Sequence, residues 1–332
     1  MSNIAKAAWI HHLPKEGPDA VRRVARRLSE AGFDLVIPCI KNPDGYLDYH
    51  GTTANVRPEF KDWDPLQVLA EEARRVGLKV HAWCCVFPEG AGSRLLAEHP
   101  EYVARDSNGA ELIAGIHKIR WACTSRPEVQ DYEFAMYQEL LTRFDIDGVH
   151  LDYIRYNHPA NGQHACFCAY CRETFKQETG AEPSLDQATR DWAAWVDWRT
   201  ANVTRFVERL HLSAKANNME VSAAVFPEYP ACVVDIGQDW EDWARRRLVD
   251  YIFPMNYTMN AKMAVKRARN HAAALAGSGV PLWEGLWNRP AMSTTMLLEQ
   301  VRGVLAQGAQ GIVIFEYFGL DDGDLRALSR PV

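Results

Sequence analysis

Residues 147–156 read Asp-Gly-Val-His-Leu-Asp-Tyr-Ile-Arg-Tyr, and this stretch is typical of a buried β-strand that ends in polar residues. Apolar Val149 and Leu151 alternate with His150 and Asp152. Because successive side chains of a strand point to opposite faces, His150 and Asp152 lie on the same side. A strand that runs into a carboxylate and then an arginine predicts the rim of an active site.

Seven further apolar segments have the length and composition of strands, and helical patterns separate them. Eight strands alternating with eight helices predict a single domain over residues 1–332, a closed (β/α)₈ TIM barrel with long loops after strands three and four. A doubly wound open sheet would show the same alternation and stays an alternative. The strands are predicted at 4–12, 33–40, 78–87, 146–153, 220–227, 250–257, 280–287 and 311–318, and the helices at 18–31, 65–76, 127–144, 186–217, 238–247, 261–276, 294–306 and 321–328.

The composition indicates an ordinary globular protein. The chain has 332 residues, of which 47% are apolar, and a formal net charge of −6. A mildly acidic chain gives no electrostatic reason to expect a nucleic acid or an anionic membrane as partner. There is no apolar run near the roughly 20 residues that span a bilayer, and the first residues do not resemble a signal peptide. We therefore expect a cytoplasmic protein.

Polar and aromatic residues collect where the predicted strands end, which is the face that carries catalytic groups in TIM barrels. Carboxylates beside tryptophans suit carbohydrate, because sugar rings pack on aromatic faces and paired carboxyls cleave glycosidic bonds. The candidate catalytic residues are Asp152, Glu228, Glu284 and Glu316. The candidate substrate-binding residues are Trp9, His11, His12, Trp83, His150, Arg155, Asn256, Tyr257 and Trp287.

A cysteine cluster follows strand four. Cys166, Cys168 and Cys171 supply three thiolates, and Cys123 is the candidate for the fourth ligand that structural zinc requires. A zinc ion with four thiolate ligands would be structural, and it would order the long loops, including a Cys-rich insertion around 154–185. Reduced thiols or a redox pair are the alternative.

The strand-four sequence resembles the "family 10 glycosylhydrolase-like" group, in which Asp-Gly-Ile/Val-His-Leu/Phe-Asp precedes residues rich in Tyr and Arg. This resemblance implies a barrel, carbohydrate hydrolysis and Asp152 as the active-site carboxylate. The cysteines resemble the zinc site of family 42 β-galactosidases, where a lone Cys precedes a Cys-x-Cys-x-x-Cys loop, and Phe175 takes the place of a downstream aromatic residue. The Asn-Glu pair of that family is absent, because Leu151-Asp152 stands there.

Two other families match less well. Family 18 chitinases carry Asp-Gly-x-Asp-x-Asp-x-Glu at strand four, but here His150 replaces the middle Asp and Ile154 replaces the essential Glu. The α-amylase pattern Gly-x-Arg-x-Asp would make Asp152 the nucleophile, with His150 in place of the Arg and Glu228 near the position of the acid.

Three hypotheses follow. The first is a glycoside hydrolase for an oligosaccharide or glycoconjugate, with Asp152 as nucleophile or base and a strand-end glutamate as acid. The second is a barrel that binds carbohydrate without catalysis. The third is a metal-dependent amidohydrolase, which needs His-x-His at strand one where this chain has adjacent His11 and His12. We expect a carbohydrate partner, and the sequence leaves a homo-oligomer open.

Overall fold

The eight predicted strands are present and parallel. The computed structural model describes residues 4–114, 119–158, 164–288 and 291–330. Nearly all strand residues are buried, as expected of parallel strands covered on both faces. In chain order the barrel strands are Ala5–Ile10, Leu35–Lys41, Lys79–Cys85, Gly148–Asp152, Glu220–Val225, Tyr251–Pro254, Trp283–Trp287 and Gly311–Phe315.

The strands close into a ring. Strand one pairs with strands two and eight, and strands six and seven are joined by the parallel bridges Ile252–Leu282 and Met255–Gly285. The prediction of a (β/α)₈ barrel is therefore confirmed.

The helices begin and end at the signals in the sequence. Asp64 caps helix Pro65–Val76 by accepting a hydrogen bond from the Gln67 N–H, and Gly77 ends it in the left-handed conformation. In two places the structure has two helices where the sequence predicted one. Ala169–Thr179 precedes the helix predicted at 186–217, and Ala231–Ile236 precedes the helix predicted at 238–247. The longer helices are Pro18–Glu30, Pro65–Val76, Pro127–Arg143, Ala169–Thr179, Arg190–Ala216, Ala261–Ala274 and Thr294–Leu305, and the shorter ones are Leu95–Glu98, Ala231–Ile236, Trp240–Arg245 and Asp322–Leu328. No helix in the described ranges is both long and apolar enough to cross a membrane.

Alternate residues of each strand fill the barrel interior. Trp9 lies across this interior, and the chain makes room for it at Gly285, where an added Cβ would come within 2.9 Å of the indole and 2.7 Å of the Pro254 carbonyl oxygen. A glycine is therefore required opposite the tryptophan. The interior apolar cluster comprises Ala7, Trp9, Leu35, Ile37, Cys39, Trp83, Cys85, Ala224, Phe253, Trp283 and Val313.

The long loop after strand three contains a small antiparallel sheet of Pro88–Glu89, Ile113–Ala114 and Ile119–Trp121. Its base is fixed by Lys41, whose fully buried ammonium lies 2.5 Å from Glu89, 2.9 Å from Glu133 and 2.7 Å from the Val86 carbonyl oxygen. One lysine thus joins strand two, the loop after strand three and helix Pro127–Arg143.

We predict that Lys41→Met destabilises the protein by about 3–5 kcal/mol, because it leaves two buried carboxyls without their cation. Lys176→Met is the matched control, since Lys176 pairs with Glu182 on the surface and exposed pairs contribute little. Denaturant unfolding measures both. Equal stabilities of the two variants would contradict this account of Lys41.

Candidate functional site

A cavity of about 110 Å³ opens at the carboxyl ends of the strands. Asp152 lies in its wall among aromatic rings, and Arg155 is the other charged residue there. Of the residues predicted from sequence, six meet in this cavity: Trp9, His11, Trp83, Asp152, Arg155 and Tyr257. Four others were not predicted: Tyr153, Ala224, Met255 and Phe315.

Asp152 is the last residue of strand four and is 6% exposed. The chain turns at Tyr153, which has a φ of 52°, and the Tyr153 N–H donates a 2.6 Å hydrogen bond to Asp152 Oδ1. Burial raises the pKa of Asp152 to about 6, against the opposing effects of Arg155 and of the Tyr153 N–H. Asp152 can therefore hold or release a proton near neutral pH.

His150 lies one layer below the cavity, fully buried inside the barrel. Its Nε2 accepts a 3.0 Å hydrogen bond from the Trp9 indole, so Nδ1 carries the proton and donates to Ser222 Oγ at 2.9 Å. The Ser222 hydroxyl also contacts His81 Nδ1, and His81 Nε2 lies 3.1 Å from Glu220. Burial lowers the pKa of His150 well below its usual value. This column of hydrogen-bonded side chains fixes the indole of Trp9 under the cavity.

The three candidate glutamates lie in different places. Glu284 is fully buried between strand seven and helix Ala261–Ala274, where it contacts His271 Nδ1 at 2.7 Å and accepts a hydrogen bond from Asn256 at 2.9 Å. Glu228 is exposed and pairs with Arg267. Neither is among the residues that line the cavity.

Glu316 follows strand eight and is half-buried. Its Oε2 accepts a 3.1 Å hydrogen bond from the backbone N–H of His11, which does line the cavity. Burial lowers the pKa of His11, although Glu316 opposes this effect. Of the three glutamates, Glu316 is the one in direct contact with a residue of the cavity wall.

Three candidates remain, and none of them lines the cavity. The ring of exposed His12 lies 4.2 Å from that of His11, and Trp287 stacks on Tyr257 at 5.8 Å between ring centroids. Asn256 points away from the cavity toward Glu284 and the Ala264 carbonyl oxygen.

Sequence reasoning missed a charged cluster after strand two. Arg57 donates to Asp48 at 2.5 Å and to Asp44 at 2.9 Å, and Asp48 is fully buried. Burial raises the pKa of Asp48 to about 7, with Arg57 opposing. Asp44 and Arg57 also act through their charges on the pKa of His11, which lines the cavity. The sequence did contain a signal for this cluster, because two aspartates closely follow the end of the predicted second strand.

The four predicted cysteines meet in one buried group. The Sγ atoms of Cys123, Cys166, Cys168 and Cys171 all lie within 4.8 Å of one another, and three of the pairs are separated by 3.4–3.6 Å. Four thiolates around zinc at 2.3 Å would be about 3.8 Å apart, so the group is close to the size of such a site. Elsewhere in the described chain no three His, Cys, Asp or Glu side chains are arranged to hold a metal.

The model of a family described as glycosyl hydrolase-like 10 matches residues 6–293. The chain belongs to this family. Its membership confirms the resemblance seen in the strand-four sequence.

Curated relatives of this glycosyl hydrolase-like 10 protein are distant. It is 24% identical over 263 residues to the glycosyl hydrolase YngK of Bacillus subtilis, covering 69% of this chain and 47% of that one. It is 22% identical over 241 residues to the glycosyl hydrolase DigH of Escherichia coli, covering 63% of this chain and 49% of that one. The chain thus spans about half the length of these two relatives. A shorter match, 28% identical over 164 residues, covers 42% of this chain and 10% of an S-layer-related protein of Niallia circulans.

Solved structures share the barrel. A β-galactosidase from Marinomonas ef1 superposes with a TM-score of 0.72 at 10% identity, covering 98% of this chain and 58% of that one. An α-L-fucosidase from Paenibacillus thiaminolyticus superposes with a TM-score of 0.69 at 15% identity, covering 99% of this chain and 48% of that one. At such identities the likeness establishes the fold alone.

We predict that Asp152→Asn gains stability over the wild type as the pH rises. The folded pKa of about 6 lies above the unfolded value of about 3.9, so ionising the buried carboxyl costs folding free energy, and asparagine avoids that cost. The difference in unfolding free energy should grow between about pH 4 and pH 6 and reach about 3 kcal/mol above that. Denaturant unfolding across this range measures it, with exposed Asp62→Asn as control. A difference that does not change with pH would contradict the raised pKa.

Proposed function

We propose that this protein is a glycoside hydrolase for an oligosaccharide or glycoconjugate, and that Asp152 is its general acid. The observation that carries the proposal is a buried carboxyl, with a pKa raised to about 6, in the wall of an aromatic cavity at the carboxyl end of strand four. Burial among aromatic rings is how glycosidases keep one carboxyl protonated near neutral pH. The sequence alone suggested the nucleophile or base for Asp152, and the raised pKa favours the acid instead.

Glu316 is the partner in this proposal. It follows strand eight, which lies opposite strand four in a ring of eight. For this pair we propose an inverting mechanism, in which the carboxyls are about 6.5–9.5 Å apart and a water fits between the base and the sugar. Asp152 gives its proton to the glycosidic oxygen as the bond to the anomeric carbon breaks. Glu316 takes a proton from the attacking water, and both carboxyls then exchange protons with solvent.

A carbohydrate-binding barrel without catalysis is the second candidate. It is favoured by one observation: among the residues that line the cavity, Asp152 is the single carboxyl. The amidohydrolase hypothesis loses support, because the described residues bring no histidine cluster together for a metal. The cytoplasmic location, the lack of a nucleic-acid partner and any homo-oligomer stay predictions from the sequence.

We predict that Asp152→Asn and Glu316→Gln each lower the release of reducing ends by about 10²–10⁴-fold, because each removes an acid or base from the reaction. The assay uses a panel of oligosaccharides and aryl glycosides. Glu228→Gln is the control, since that carboxylate faces Arg267 outside the cavity. Binding of a glycan by wild type without any release of reducing ends would reject the hydrolase and favour the binding barrel.

We further propose that the four cysteines hold a structural zinc ion. The support is a closed set of four buried sulfur donors, which leaves no coordination position for substrate. Further contacts hold the sulfur atoms in place: the Arg105 N–H donates to Cys166 Sγ at 3.4 Å, and Cys171 Sγ lies 3.3 Å from Ser125 Oγ.

We predict about one zinc per chain in the purified wild type, measured by elemental mass spectrometry. Cys168→Ser should lose the metal and unfold at a lower temperature, because metal binding contributes to folding. Cys232→Ser is the control, since Cys232 is buried outside the cluster. Wild type that carries no metal after expression with zinc, or Cys168→Ser that retains it, would reject the site.

A further inference from the structure

Arg155 is a buried cation in the wall of the cavity. It is 7% exposed, and its guanidinium carbon lies 4.2 Å from the ring centroid of Tyr153, 4.8 Å from that of Phe226 and 5.5 Å from that of Trp121. Aromatic faces attract the cation but accept little hydrogen bonding from it. The three rings therefore hold the guanidinium in position, and of their atoms only the Tyr153 hydroxyl acts on it as a hydrogen-bond acceptor.

Within the described residues, this guanidinium lacks a counter-ion in contact. Its buried Nε has no hydrogen-bond acceptor, and Arg155 takes part in none of the ion pairs of 4.0 Å or less among the described residues. Asp152 acts on it from a greater distance. The contrast with Arg57 is clear, because Arg57 contacts two carboxylates directly. A buried cation without a partner is costly unless a ligand supplies one.

In the reacting state the positive charge of Arg155 is balanced even less by its surroundings. As the general acid, Asp152 must be protonated, and it then contributes no negative charge. His11 is neutral as well, because burial lowers its pKa. Arg155 is then the one charged side chain in the lining of the cavity.

We propose that Arg155 binds the carboxylate of an acidic sugar, such as a uronic acid, in this cavity. The proposal rests on the proposed glycoside hydrolase and names the class of its substrate. A planar carboxylate matches the fork of a guanidinium and neutralises it, whereas a sugar hydroxyl accepts a hydrogen bond and leaves the charge in place. A substrate carboxylate beside Asp152 also helps to keep that residue protonated, as an acid requires.

The test compares D-glucuronate with D-glucose by isothermal titration calorimetry. Wild type should bind glucuronate about tenfold more tightly or better, since a hydrogen bond to a charged group is worth about that factor. Arg155→Gln should bring the two affinities within about twofold of each other, because glucuronate loses much more affinity than glucose. Arg155→Lys keeps the positive charge but lacks the forked guanidinium. Its preference for glucuronate over glucose should lie between those of the wild type and Arg155→Gln. Arg267→Gln, which removes a cation outside the cavity, should behave as wild type.

Three results would overturn the proposal: glucuronate binding no tighter than glucose binding, no detectable glucuronate binding by the wild type, or equal loss of both sugars in Arg155→Gln with Arg155→Lys unchanged from wild type. Thermal unfolding of each variant shows that it is folded. If the protein binds glucuronate through Arg155 but hydrolyses no uronide-containing glycan, the proposed hydrolase fails while this inference holds.

Discussion

Each residue of a barrel strand points either into the barrel or toward the helices, and this alternation decides which side chains reach the cavity. In strand four it brings His150 and Asp152 inside, one layer apart. In strand seven it places Trp283 inside the barrel and directs Glu284 toward the helix layer. There Glu284 contacts His271 and accepts a hydrogen bond from Asn256. The closed ring leaves little space inside, so the interior is filled by Trp9, its hydrogen-bonded column and the apolar cluster. The cavity is the small volume that remains above them.

Much of the fold could be predicted from the sequence, because barrel strands are short apolar runs and the helices between them carry their own start and stop signals. Asp64, Pro65 and Gly77 mark one helix almost to the residue. The small sheet in the loop after strand three was not predictable, because its strands are two or three residues long and are held by the distant Lys41. Local pattern carries no information about such a contact.

The site was only partly predictable for a related reason. A strand buried on both faces has no polar face to identify its inward side, so the sequence could not tell that Glu284 points outward. Glu228 lies beyond the end of its strand, where the alternation of the strand no longer indicates the direction of a side chain, and in the structure it pairs with Arg267 at the surface. The aromatic wall around Arg155 combines residues from separate loops, Trp121 and Phe226, that no spacing rule connects. The four cysteines came together as expected, because their spacing matched a known kind of site.

The cysteine cluster and the cavity are physically connected. Ser125 lies 3.3 Å from Cys171 Sγ and shares a 2.8 Å hydrogen bond with the Tyr156 hydroxyl, and Tyr156 directly follows Arg155. The Ser125 hydroxyl therefore links the cysteine cluster to the residue that follows Arg155. These contacts help to hold the buried cation close to the buried carboxyl.

The central claim is that burial raises the pKa of Asp152 close to neutral pH, so that its protonated form is available as the acid. Its titration by carbon NMR, with the resonance assigned by comparison with Asp152→Asn, tests this claim most directly. The account predicts a midpoint of about 6. A midpoint near the ordinary value of about 3.9 would contradict it, because the protonated form of Asp152 would then be about a hundredfold scarcer near neutral pH and the residue would be a poor acid.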